Sequence, residues 1–200
     1  MKKIYSLVTI LFLMVGLFGC GTPKPEPVVE KFCESLKTFD VETIDGLLLE
    51  GSTGNSLEDN ENLQFDPIVE IITSFNSKIK YNITETVVAE DKESAQVTVE
   101  FEYVDAYDAG AEALASIFTE ALVYAFSGQE ISEEDMLDIM VRAYQAGVQE
   151  NETAIANATA TFELVLSEKE WKIVKVPAEI LNVATANFLQ PIDDFSEGNE

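Results

Sequence analysis

Two long segments in which apolar and polar residues alternate constrain the fold of this chain more than any other feature. Every second residue is apolar or aromatic in residues 95–103, and residues 154–166 repeat the pattern. Successive side chains of a strand point to opposite faces, so each segment predicts a strand with one buried face. A shorter alternation at 79–84 and the polar run 90–93 predict a hairpin leading into the first long strand.

Segments with the apolar spacing of helices lie before, between and after these strands in the sequence. Apolar residues recur at three- and four-residue steps after Pro27, after Asp40, after Asp66-Pro67, twice within 105–150, and after Pro177. Residues 171–176 form a fourth apolar, strand-like segment behind the charged turn 167–170. Helices grouped around strands of this kind predict an α+β fold, in which an antiparallel sheet carries helices on one face.

The N-terminus has the composition of an export signal. Met1-Lys2-Lys3 is followed by fifteen uncharged, mostly apolar residues and then by Gly19-Cys20. The run 17–20, Leu-Phe-Gly-Cys, resembles the lipobox of bacterial lipoproteins, which implies cleavage after Gly19, lipid attachment to Cys20 and anchoring on the extracytoplasmic face of the cell membrane. An uncleaved transmembrane anchor is the alternative, because the uncharged run is about 20 residues long.

These features divide the chain into four parts. Residues 1–19 are predicted to be a lipoprotein signal peptide and 20–27 a lipidated cysteine with a Pro-rich tether of roughly 20 Å. Residues 28–190 are predicted to form a single α+β domain with a helical insertion at about 106–150. Residues 191–200 are acidic, show no core pattern, and are expected to be a flexible tail.

Composition excludes several classes of function. The chain has 12 Lys and Arg against 37 Asp and Glu, a net charge of -25, which disfavours nucleic acid as a partner. It contains no His, so Ser-His-Asp triads, Cys-His dyads and His-containing zinc sites are impossible. With Cys20 assigned to lipid, Cys33 remains alone and is expected to be a small buried core residue.

Three groups of residues, taken in this order, resemble uncharacterised bacterial lipoproteins with a nuclear transport factor 2-like (cystatin-like) domain. They are the helix Pro25-x-x-Val28-x-x-x-Phe32-x-x-x-Leu36-x-x-x-Asp40, the strand Ala95-x-Val97-x-Val99, and Trp171-Lys172-Ile173. The resemblance implies a curved antiparallel sheet wrapped around the N-terminal helices, forming a cone whose mouth holds a small ligand. It implies no single activity, because this fold serves enzymes and non-catalytic modules alike.

Candidate sites are few, and no catalytic, cofactor-binding or metal-ligating residue is predicted. A pocket enzyme without His would need a carboxylate base and Tyr donors, for which the sequence offers Glu100, Glu102, Tyr81, Tyr103 and Tyr107. The acidic run 58–62 lacks the spacing of a calcium loop and is interpreted as solvated. The acidic residues at 133–138 are interpreted as charges at a helix N-terminus.

The two inserted helices are the segments that we consider the strongest candidates for a functional role. The first of them has one apolar stripe, which either packs on the core or forms a surface for a ligand or partner: Leu114, Ile117, Phe118, Ala121, Leu122 and Ala125. The sequence therefore predicts a non-enzymatic, membrane-anchored module that binds a small apolar ligand or an envelope protein. A small-molecule isomerase or dehydratase with a pocket carboxylate, and a cell-envelope assembly factor, are the alternatives.

Overall fold

A computed structural model of the chain describes residues 23–50, 66–128, 132–150 and 154–197. The helices are, in chain order, α1 (Glu26–Thr38), α2 (Val41–Leu47), α3 (Asp66–Asn76), α4 (Tyr107–Ser127), α5 (Glu133–Glu150), α6 (Glu179–Thr185) and α7 (Gln190–Glu197). The strands are β1 (Lys80–Val88), β2 (Ser94–Asp105), β3 (Ala154–Ser167) and β4 (Glu170–Lys175). The predicted order of helices and strands is confirmed up to α6.

The strands form one open antiparallel sheet in the order β1-β2-β3-β4. The two long alternating segments lie side by side at its centre, paired from Ser94 opposite Val165 to Asp105 opposite Ala154. The β1–β2 and β3–β4 turns lie at one end of the sheet, and α4 and α5 connect β2 to β3 at the other end. The α+β class with an antiparallel sheet is therefore confirmed.

The inner face of the sheet packs against α1, α3 and α6. Its central strand buries the five predicted residues of one face: Ala95, Val97, Val99, Phe101 and Tyr103. Phe32 of α1 meets Phe162 of β3 edge to face, with ring centroids 5.1 Å apart. Tyr144 of α5 contacts Phe188, also at 5.1 Å, beyond the end of α6. Side chains from the sheet and from the helices thus pack against each other in one core.

The N-terminal boundary of the domain lies earlier than predicted. Helix α1 already begins at Glu26, after Pro25 in helical conformation. The indole Nε1 of Trp171 donates a hydrogen bond of 2.6 Å to the carbonyl oxygen of Pro23. The prediction of an extended tether through residue 27 is therefore wrong for residues 23–27, because helix α1 and the Trp171 hydrogen bond incorporate them into the domain.

The C-terminal residues are also more ordered than predicted. Helix α6 ends at Thr185, because Ala186 and Asn187 adopt left-handed backbone conformations with φ of 54° and 57°. A further helix, α7, covers Gln190–Glu197, where a flexible tail was expected. Ile192 and Phe195 supply apolar contacts to α7, and the acidic residues around them hid this three-residue spacing in the sequence.

The helical hairpin is held together by small residues. Helix α4 buries Ala109 and Ala113, and Gly147 of α5 lies directly against the backbone of both; Gly110 of α4 is also buried but lies against the backbone of Phe188. Small side chains let two helix backbones approach closely, so this face of α4 is the one that meets α5. Core packing, one of the two interpretations of the α4 stripe, is therefore wrong for Phe118 and Leu122, whose side chains stay exposed.

Candidate interaction surface

The first candidate for catalysis, Tyr81, contacts Glu34 and Lys37 of helix α1. Its hydroxyl donates a hydrogen bond of 2.9 Å to Oε1 of Glu34, and the Lys37 ammonium lies 5.0 Å from its ring centroid. Burial, together with the Glu34 hydrogen bond, raises the pKa of Tyr81. Hydrogen bonds from Lys37 and Tyr81 lower the pKa of Glu34, so this carboxylate is a weak base.

The other two tyrosines lie at the same end of the sheet as Tyr81, which pairs with Phe101, but their hydroxyls have different hydrogen-bond partners. The Tyr103 hydroxyl donates to Oδ1 of Asn187 at 3.3 Å, and Asn187 in turn donates to Asp105 at 3.0 Å. The Tyr107 hydroxyl donates to Oδ2 of Asp194 at 2.8 Å, which raises the pKa of Tyr107. Sequence reasoning missed this cluster, because its acceptors come from the segment after α6 that only the fold brings to β2.

The carboxylates of β2 face away from the core. Glu100 and Glu102 alternate with the buried residues of the strand, and Glu102 forms an ion pair with Lys80 on the neighbouring strand. Both carboxylates lie on the opposite side of the sheet from Tyr103. The structure therefore does not bring the five candidate catalytic residues together.

Cys33 of α1 lies in the hydrophobic core of the domain and is fully buried. Burial, reinforced by the nearby Glu34 carboxylate, raises the pKa of the Cys33 thiol to about 12. Because the thiolate is the nucleophilic form of cysteine, this side chain is unreactive in the folded chain. Its predicted burial as a core residue is confirmed.

Metal ligation finds no support within the described ranges. Among these residues no three Cys, Asp or Glu side chains are placed to hold a metal ion together. The acidic run 58–62, interpreted above as a solvated loop, lies outside the described residues.

A shallow depression of about 430 Å³ lies on the outer face of the sheet, near the β1–β2 turn. Val87, Val165 and Val174 give it an apolar floor, and Gln96 and Glu163 supply polar groups. Its volume falls within the range of small-molecule sites, but it is open to solvent, whereas such sites enclose most of their ligand.

Among the described residues, four of the exposed large apolar side chains lie on the C-terminal half of α4. We call the surface that they form the α4 patch and define it as Phe118, Leu122, Val123 and Phe126, whose side chains are 45%, 55%, 63% and 88% exposed. The ring of Phe195 on α7 packs against Phe118 at 5.1 Å and is itself 53% exposed. The patch follows the helix because steps of three and four residues return to the same face.

The α4 patch carries no charge of its own. The acidic residue within its span is Glu120, which points to the α5 side and forms a salt bridge of 3.1 Å with Arg142. Exposed Phe and Leu side chains concentrated on one face are typical of interaction sites, whereas single exposed apolar residues are ordinary. The patch is therefore the strongest candidate functional surface among the described residues.

Helix α4 is also long and apolar enough to cross a membrane, judged by length and composition alone. It has 21 residues, and only 17% of its most apolar window is buried. A transmembrane segment at α4 conflicts with the hairpin, because α4 follows β2 and α5 leads back to β3 of the same sheet. Crossing would therefore carry the exposed Asp135 and Asp138 of α5 into the bilayer.

Comparison with known proteins leaves the identity of the fold family open. No protein-family model matches the chain. No curated protein matches it at a significant level.

Proposed function

We propose that this chain is a lipid-anchored lipoprotein of the extracytoplasmic face whose domain binds a protein partner through the α4 patch. The observation that carries the proposal is the surface of the patch, which is exposed, uncharged and rich in aromatic side chains. The placement of Glu100 and Glu102 on the opposite side of the sheet from Tyr103 supports a non-enzymatic role, and the exposed aromatic side chains of the patch support a protein partner over a small ligand.

The lipid anchor rests on the lipobox-like run ending at Cys20. Because the Trp171 hydrogen bond ties Pro23 to the domain, the three-residue step from Cys20 to Pro23 can span at most about 10 Å. The lipoprotein would then sit close to the bilayer with the Pro23 end of the domain facing it. The depression lined by Pro23, Lys24, Glu26, Val88 and Lys92 lies at this end.

The family assignment belongs to the same proposal. We infer a nuclear transport factor 2-like (cystatin-like) arrangement, in which the sheet curves around the N-terminal helices and α4 and α5 are an insertion between β2 and β3. The open antiparallel sheet, the packing of α1 on β1 and β4, and the buried Trp171 support it. This arrangement predicts no activity by itself.

Replacing Cys20 with Ala tests the anchor. We expect the Cys20→Ala precursor to incorporate no labelled fatty acid, to stay unprocessed at Gly19, and to lose stable lipid-mediated anchoring, since two or three acyl chains give an essentially permanent attachment. Cys33→Ala is the matched control and is expected to keep both label and membrane fractionation, because Cys33 is buried. A processed, anchored Cys20→Ala protein would contradict the lipoprotein proposal.

A further inference from the structure

We propose that the partner of the α4 patch is a second copy of this chain, docked through an antiparallel pair of α4 helices. This proposal rests on the proposed function, because it names the occupant of the same surface. Three properties of the patch carry it: its area, its self-complementary spacing and its charge.

The area of the patch reaches the lower bound for a specific dimer interface. An aromatic side chain carries on the order of 200 Å², so the measured exposures of the patch and Phe195 give roughly 500 Å² of apolar surface per copy. Burying it on two copies removes about 1,000 Å² from water, the size at which a specific interface is expected to begin. The apolar part of this surface alone therefore reaches the threshold.

The spacing of the patch is self-complementary. Phe118 and Phe126 lie four residues before and after Leu122, and the exposed residues of the same face between them, such as Thr119, are smaller. When two such helices run antiparallel about a twofold axis at Leu122, Phe118 of one copy meets Phe126 of the other, twice. A twofold interface requires this kind of symmetry, in which one surface fits itself.

Charge favours a second copy over a membrane. Helix α4 contains Asp108, Glu112 and Glu120 and no Lys or Arg, whereas helices that lie in a membrane interface carry basic residues on their polar face. An anionic lipid surface would also repel a chain of net charge -25. Two copies repel each other at long range as well, but Arg142 pairs with Glu120, so the contact zone itself is uncharged.

Crosslinking of the full-length, membrane-anchored protein on intact cells tests the proposal. The chain provides a clean background, because Cys33 is buried and Cys20 would be blocked by lipid. With Leu122→Cys, a short bis-maleimide is expected to give a species of twice the chain's mass. Val87→Cys is the matched control, 52% exposed against 55% for Leu122 but on the sheet, and is expected to give none.

A second substitution shows whether the crosslink depends on the patch. Phe126→Asp in the Leu122→Cys background is expected to lower the crosslinked fraction about tenfold, which corresponds to the loss of about 1.4 kcal/mol of binding free energy. Phe126 is 88% exposed, so the substitution leaves the fold intact, which circular dichroism verifies.

The remaining outcomes would overturn the second-copy proposal, and they separate it from the proposed function. No crosslink at Leu122→Cys, or equal crosslinks at Leu122→Cys and Val87→Cys, would exclude a dimer through α4. A crosslinked species of another mass that is lost with Phe126→Asp would exclude a second copy and leave the patch as a binding surface. Failure of the lipoprotein proposal would show instead as a Cys20→Ala protein that is both processed and anchored.

Discussion

Replacing Gly147 with alanine is expected to lower the free energy of unfolding by about 3 kcal/mol. The new Cβ would overlap the carbonyl oxygen of Ala109 and lie 3.3 Å from its carbonyl carbon and 3.4 Å from the nitrogen of Ala113. These are backbone atoms of α4, so no side-chain rotation relieves the clash. The gain from better helix propensity, about 1 kcal/mol, is smaller than this cost. Urea unfolding followed by circular dichroism measures the difference.

Gly46→Ala is the matched control for this experiment. Gly46 also lies within a helix, α2, but an added Cβ would meet nothing within 4 Å. Alanine there is expected to leave stability unchanged or raise it by up to about 1 kcal/mol. If Gly147→Ala were as stable as the parent chain, α4 and α5 would not approach closely, and the reason why α4 exposes its larger apolar face would be lost.

Replacing Asn76 with aspartate is expected to cost about 3 kcal/mol at neutral pH. Asn76 is fully buried at the end of α3, where its amide donates hydrogen bonds of 3.1 Å and 2.9 Å to the carbonyl oxygens of Leu36 and Ala184. It thereby ties the ends of α1, α3 and α6 together. In aspartate, a carboxylate oxygen would replace the Nδ2 group that donates to both carbonyl oxygens. Both hydrogen bonds would be lost, and a negative charge would be buried.

The cost of Asn76→Asp is also expected to depend on pH. Burial and the two carbonyl oxygens would raise the pKa of the introduced carboxyl above the value of about 3.9 that it has in the unfolded chain. The deficit is therefore smallest below pH 4 and grows as pH rises from there toward the folded-state pKa. Asn82→Asp, at an exposed site on β1, is the control and is expected to show neither effect. A deficit independent of pH would contradict this account of Asn76.

The sheet could be predicted because its information is local. The alternation in residues 95–103 determines which side chains of β2 are buried, whatever packs against them. The polar run 90–93 likewise identifies the β1–β2 turn, in which Lys92 takes a left-handed conformation with φ of 60°. Propensity and pattern agree in these segments, so the fold class followed from the sequence alone.

The candidate surface could be predicted only in part, because it depends on contacts between distant segments. The sequence shows an apolar stripe on α4, but not that Gly147 draws α5 onto the opposite, small-residue face and leaves Phe118 outside. The role of Asn76 depends on carbonyl groups 40 and 108 residues away along the chain. Helix α7 was missed because Phe195 finds its partner on α4 rather than within its own segment.

Native mass spectrometry of the chain from Gly21 onward shows whether the α4 patch is the binding surface of this protein. We expect a species of twice the chain's mass without added small-molecule mass, and a single-chain mass for Phe126→Asp under the same conditions. A parent chain that remains a monomer at every concentration and retains a small ligand, with or without Phe126, would contradict this expectation.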